Sequence, residues 1–204
     1  MAHAILASVL REYRESYPDV SIVVRLEDTP GGIKAVESGT SDLAIVITNQ
    51  LPKGLKAHRL MSDRLQLFFP PVHPWAGKAR VTAADIGREH MLLYQRNSVT
   101  FQQTEDFLLR SGIQLNSYVE IPSFEIMKQL TRLGLGVSLM APWVAVKELE
   151  VGALKTLPTP RFKIERTWGV IHQGHHERRP HEQTFIGLCQ MACEALETKR
   201  SSAG

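Results

Sequence analysis

Apolar positions along the chain follow two alternating rhythms, one of helical spacing and one of short continuous runs. Ile5, Leu6, Val9, Leu10 and Tyr13 share one face of a helix that Pro18 stops. Residues 21–26 carry Ile-Val-Val, a β-branched run that reads as a central strand. Thr29-Pro30-Gly31-Gly32 is a turn opening a helix that ends at Gly39. A buried strand is predicted at 43–47, and further strands at 57–61 and 65–69, the last closed by Pro70-Pro71. Thr82 can cap a short helix, and 91–94 is the next strand. The polar loop 95–100 then opens a helix with Phe101, Phe107 and Leu108 inward, ending at Gly112. After a strand at 118–121, Ser123 caps a helix whose apolar residues are Ile126, Leu130 and Leu133. Gly134 supplies the left-handed C-cap, 137–140 is a buried strand, and Pro142 opens another helix. Leu157-Pro-Thr-Pro160 reads as a break, 167–171 as a strand, and 174–180 as a basic, His-rich loop. The last helix, 181–198, turns Phe185, Leu188, Met191, Ala192 and Ala195 inward, and the tail from Lys199 is expected to fray.

Strands alternating with helices imply an α/β fold with a largely parallel sheet covered on both faces. Composition changes little: the 204 residues are 43% hydrophobic and 22% charged, an ordinary globular balance. A net charge of +3 is too small to argue for nucleic acid or a membrane surface. No apolar run approaches the ~20 residues of a membrane span, and no signal peptide is evident, so a cytoplasmic location is expected. Cys189 and Cys193, four apart on a helix, read as packed thiols in a reducing compartment.

Four stretches carry a family resemblance. Leu10-Arg-Glu-Tyr-Arg-Glu-Ser-Tyr-Pro-Asp-Val20 closes a helix before a strand. Gly32-Ile-Lys-Ala-Val-Glu-Ser-Gly-Thr-Ser-Asp-Leu-Ala-Ile45 is a helix, a Gly turn and an Asp-Leu-Ala-Ile strand. Leu67-Phe-Phe-Pro-Pro-Val-His-Pro74 is the third, and residues 120–142, with Gly-Leu-Gly ahead of a short apolar strand and Pro, are the fourth. In order and spacing the chain resembles the effector-binding domain of LysR-type transcriptional regulators. The resemblance implies two Rossmann-like lobes with a ligand cleft between them, as in type 2 periplasmic binding proteins. Lobe I would hold 1–67 plus 168–204, and lobe II 68–167. It further implies a small, anionic effector, no cofactor, a dimer of this domain within a tetrameric full-length protein, and DNA contact only through a separate N-terminal domain. The family's first strand and its helix-turn-helix do not precede the first helix in this sequence.

In open α/β sheets ligands sit at strand carboxyl ends, beside helix N-termini whose unpaired N–H groups suit anions. Three turns qualify, and the residues expected to bind ligand are Thr29 and Pro30, then Asn97, Ser98 and Thr100, then Ser123 and Phe124. The plainer reading is that the hydroxyls cap their helices and that Phe124 is core. Catalytic signals fail: Gly136-Val-Ser-Leu-Met140 lacks the final Gly of a nucleophile elbow, and Ser138 lies in an apolar run. His172, His175, His176 and His181 could gather on a metal, but a solvated loop is the better expectation, and no metal is assigned. There is no glycine-rich dinucleotide fingerprint or P-loop. The reading is therefore a regulatory binding domain rather than an enzyme, with a transport solute-binding protein or a two-lobe enzyme as rivals.

Overall fold

The computed structural model describes residues 2–175 and 178–201. In chain order the helices are α1 (Ala2–Ser16), α2 (Thr29–Glu37), α3 (Ala83–Gly87), α4 (Val99–Arg110), α5 (Phe124–Arg132), α6 (Val146–Glu150) and α7 (Pro180–Ser201). The strands are β1 (Ala44–Ile47), β2 (Leu55–Arg64), β3 (Gln66–Phe69), β4 (His90–Tyr94), β5 (Ser117–Ile121), β6 (Val137–Met140), β7 (Lys155–Pro158) and β8 (Glu165–Gln173). The chain divides into two compact units, one of residues 1–63 with 166–204 and one of 64–165.

The first unit is built on a three-stranded sheet in the order β1-β8-β2, with β1 antiparallel to β8. Ile5, Val9 and Tyr13 of α1 are buried, as are Ile186, Cys189 and Cys193 of α7. Tyr13 meets Phe185 edge-to-face at 5.5 Å, and the Tyr17 hydroxyl lies 3.1 Å from Thr184 Oγ1. Val36, Val46 and Ile171 form a second buried patch, where α2 lies on β1. Gly32 is needed there, since a Cβ on it would fall 2.9 Å from Val46 Cγ1.

The second unit holds a five-stranded sheet in the order β5-β4-β6-β3-β7. β4 is parallel to β5 and β6, whereas β3 is antiparallel to β6 and β7. The largely parallel sheet expected from the alternation is thus a mixed one. Parallel pairing is confined to β4, β5 and β6, which α4 and α5 link as crossovers; β3 and β7, where the chain enters and leaves the unit, run against it. Leu67, Phe69, Met91, Leu93, Val137 and Leu139 fill one side of the sheet, and Phe68, Leu92, Met127 and Met140 the other. The short helix α3 begins with a reciprocal cap: Thr82 Oγ1 accepts from Asp85 N–H while the Asp85 carboxylate accepts from Thr82 N–H. Those bonds and Lys78 hold the Asp85 carboxyl down at about 2.

Other expectations are corrected by tertiary packing. Residues 21–26 form no strand, and Ile22, Val23, Val24 and Leu26 are exposed. A strand needs a partner for its N–H and C=O groups, and the β1-β8-β2 sheet places none beside them. On α5 the buried residues are Met127 and Thr131, while Ile126 and Leu133 face outward. Thr131 is tolerated because its hydroxyl bonds Met127 O and lies 2.9 Å from Ser138 Oγ. On α7 the inward line is Glu182, Ile186, Cys189 and Cys193, so Met191 and Ala195 are exposed, and the helix runs on to Ser201. The stretch read as a break at 157–160 begins inside β7. Residues 202–204 of the expected frayed tail, and Met1, lie outside the described residues.

One ion pair stands where the chain leaves and re-enters the first unit. Arg166 Nε and Nη2 donate to the two Asp63 carboxylate oxygens at 2.7 and 2.6 Å, and Trp168 Nε1 donates to Oδ2 at 2.9 Å. The side chains are only 1% and 0% exposed. Removing one partner strands a buried charge, so Asp63→Ala is expected to cost about 3–5 kcal/mol in urea unfolding. Replacing both, as Asp63→Leu with Arg166→Met, is expected to recover most of that loss.

Candidate functional site

Parallel β4 and β5 carry their polypeptide in the same direction, with Tyr94 opposite Ile121 at their carboxyl ends. Each continues into a short loop and then a helix. The N-termini of α4 and α5 therefore open at the same edge of the second unit's sheet. This junction carries Asn97, Ser98, Thr100, Ser123 and Phe124. Asn97 is exposed, Ser123 and Phe124 are half-buried, and Ser98 and Thr100 are buried.

Ser98 is the α4 N-cap: its hydroxyl accepts from Phe101 N–H at 3.0 Å and donates to Gln95 O at 2.7 Å. Ser123 caps α5 more loosely, with Ile126 N–H at 3.4 Å. Thr100 lies inside the helix, past the cap. Phe124 stacks on Tyr94 with ring centroids 4.2 Å apart and planes 3° from parallel. Thr29 and Pro30 belong to the first unit. There Asp28, not Thr29, caps α2 by accepting from Gly31 N–H at 2.9 Å. The Thr29 hydroxyl instead accepts from Ile47 N–H at 3.1 Å, tying α2 to β1. A carboxylate at that N-terminus already answers the helix dipole.

Four residues of this junction were not singled out from the sequence. Arg96 lies in the loop between β4 and α4, its N–H donating to Glu120 Oε1 at 2.7 Å and its guanidinium to the Tyr118 hydroxyl. The guanidinium also sits 3.6 Å from Glu120 and 5.3 Å from the centre of the Phe101 ring. Tyr94 is the fourth, beneath Phe124. The available signal was the i, i+2 spacing of Tyr118 and Glu120, which places both on one strand face. Together the junction offers two helix N-termini, an arginine, hydroxyls and a flat aromatic wall.

Ser138 is fully buried against Thr131. The Cys189 and Cys193 thiols are pushed up to about 12 and about 11, chiefly by burial, so they are poor nucleophiles at neutral pH. Of the histidines weighed as metal ligands and not assigned one, His172 is buried and His175 exposed, and His181 lies edge-on to Tyr17; His176 lies outside the described residues. Among the described residues no three His, Cys, Asp or Glu side chains are placed to hold a metal ion together. No helix among them is long and apolar enough to cross a membrane.

The LysR substrate binding domain profile matches residues 1–194. The chain belongs to the LysR substrate-binding-domain family. A probable RuBisCO transcriptional regulator of Cyanidium caldarium is 26% identical over 187 residues, covering 89% of this chain and 59% of the relative. A second probable RuBisCO transcriptional regulator, from Trichormus variabilis, is 25% identical and is covered over 56% of its length. The LysR domain thus spans a little over half the length of these curated relatives. Among solved structures, the regulatory domain of CcmR from Synechocystis, in complex with 2-PG, superposes with a TM-score of 0.83 at 21% identity. That match covers 95% of this chain and 93% of the other. The effector-binding domain of QuiR, in complex with shikimate, gives 0.74 at 16% identity, covering 93% and 90%. The fold is that of LysR regulatory domains, two α/β lobes of the periplasmic-binding-protein type 2 kind. The relatives are named as regulators, in line with a binding domain rather than an enzyme.

Because Ser98 is a satisfied cap, Ser98→Ala is expected to lower unfolding stability by about 1 kcal/mol. Equilibrium urea denaturation measures it, with an unchanged m-value marking the loss as local to the cap.

Proposed function

We propose that the LysR domain binds a small organic anion at the α4–α5 junction and passes the occupancy on to a transcriptional regulator in the cytoplasm. The observation that carries this reading is the pair of helix N-termini at the carboxyl edge of β4 and β5, with Arg96 beside them. A cap satisfies only some of a helix's four leading N–H groups, and the dipole adds partial positive charge. A carboxylate or phosphate takes up such groups well. The 2-PG and shikimate in the neighbouring domains are both small and polar enough to suit the same chemistry. Binding would shift a conformational equilibrium only by its differential affinity for the two states. Contact with DNA would come from a separate part of the full-length regulator.

Isothermal titration with 2-PG, shikimate and inorganic phosphate tests the assignment. At least one is expected to bind saturably. Arg96→Gln and Thr100→Ala are each expected to weaken it by about 1–3 kcal/mol. Binding equal to wild type in both variants would sink this site; no saturable binding by any of the three would sink the ligand class.

Self-association is part of the proposal. Ile126 in the first turn of α5, and Leu133 and Leu135 just past its end, are exposed apolar side chains. A groove of about 400 Å³ runs between α1 and α7, lined by Ile5, Val9, Leu188, Met191, Ala192 and Leu196. Exposed apolar patches of this kind mark interaction surfaces. Sedimentation equilibrium is expected to show a dimer at micromolar concentration and a monomer for Leu133→Glu combined with Met191→Glu.

A further inference from the structure

If the α4–α5 junction is where an anion binds, as proposed above, it already holds a carboxylate of its own. The first turn of α4 contains no acidic residue. Ser98 accounts for two of the leading N–H groups, Phe101 N–H on its hydroxyl and Gln102 N–H on its carbonyl at 3.1 Å. The negative charge beside this helix end comes instead from the neighbouring strand. Glu120 of β5 accepts from Arg96 N–H at 2.7 Å through Oε1, and its Oε2 lies 3.6 Å from Arg96 Nε. Arg96 stands two positions ahead of the Ser98 cap, its guanidinium donating to the Tyr118 hydroxyl and lying over the Phe101 ring. The Arg96 and Glu120 side chains are 57% and 40% exposed, so an ion in solution reaches both. The other carboxylate at the junction is committed elsewhere. Glu125, in the first turn of α5, pairs with Lys128 at 2.8 Å and accepts from Gln129 at 3.2 Å, and those bonds hold its carboxyl below the usual range.

We propose that Glu120 sets charge selectivity at the junction, as a tethered carboxylate that competes with an incoming anion for Arg96. The Arg96 and Glu120 charges nearly cancel for any ligand that meets both. What then attracts the ligand is the partial charge of the helix end and its directed N–H bonds. A singly charged carboxylate uses those bonds as fully as a phosphate does. Taking the Glu120 charge away uncovers Arg96, and the attraction gained grows with the charge on the ligand. A repulsive group kept beside an attractive one is a common way to narrow a binding site's choice.

Glu120→Gln tests this, because it leaves an amide oxygen for Arg96 N–H and removes only the charge. Wild type and variant are titrated calorimetrically at pH 8 with shikimate, which has a single carboxylate, and with 2-PG and inorganic phosphate, which carry more than one charge. Each probe is compared with itself, variant against wild type. At low salt the affinity is expected to rise roughly five- to tenfold for 2-PG and phosphate and about twofold for shikimate. Added salt is expected to narrow that difference. Damage to the fold does not produce a gain graded by charge. Uptake seen only in the variant supports the proposal as the extreme of the same result. Equal gains for all probes, no gain, or a loss, with wild type binding, overturn the role of Glu120 and leave the junction standing. No saturable uptake by either protein overturns the junction, and the role of Glu120 with it.

Discussion

A guanidinium shut away from water keeps its charge only with a carboxylate in register beside it. Arg166 meets that demand with both Asp63 oxygens, and Trp168 takes up a further lone pair. These residues mark where the chain leaves the first unit and where it returns. On the second unit's side of the same two points, Leu65 N–H donates to Ile164 O, and Arg64 pairs with Glu165. The exposed Arg64–Glu165 pair contributes little to stability, whereas the buried pair cannot be broken cheaply. The buried pair thus stands at the first unit's end of β2 and near the start of β8, and the first unit's sheet is completed by a segment distant in sequence. β8 enters the first sheet between β1 and β2 only because the chain is brought back to that place.

Much of this was legible in the sequence where local chemistry and tertiary packing agree. Gly39, Gly112 and Gly134 were read as helix ends and adopt positive φ. Ser98 and Ser123 were read as possible caps and are caps. Where the two levels disagree, periodicity misled. On α5 the three apolar residues Ile126, Leu130 and Leu133 suggested a face, but the sheet takes Met127 and the self-satisfied hydroxyl of Thr131 instead. On α7 small and soft residues, Ile186 and the two cysteines, win the interior over Met191. Composition could not show this, because a helix with apolar residues on several faces leaves its rotation to its partner.

The candidate site divides the same way. Helix N-termini are signalled by Ser and Thr, so the loops were found. The groups that give the junction its charge and shape were not, because they are set by register: Glu120 reaches Arg96 only since β5 lies parallel to β4, one loop away. Phe124 gains a defined orientation from Tyr94, thirty positions earlier in sequence, and no local pattern announces that stack. Asp28 is the opposite case. Its neighbour Thr29 looked like the functional hydroxyl, yet the carboxylate one position before it takes the helix end.

The stretch around Ile22, Val23, Val24 and Leu26 has a bearing on how this protein behaves in a tube. It is β-branched, outward-facing and without regular secondary structure, and Arg25 is the sole charge within residues 21–26. Such a run is a ready template for adding strands from neighbouring chains, and a modest net charge of +3 offers weak repulsion against it. Colloidal behaviour is therefore governed by half a dozen residues rather than by average hydropathy. A lysine at Val23, which is 74% exposed, would act as a gatekeeper at almost no cost to the folded core.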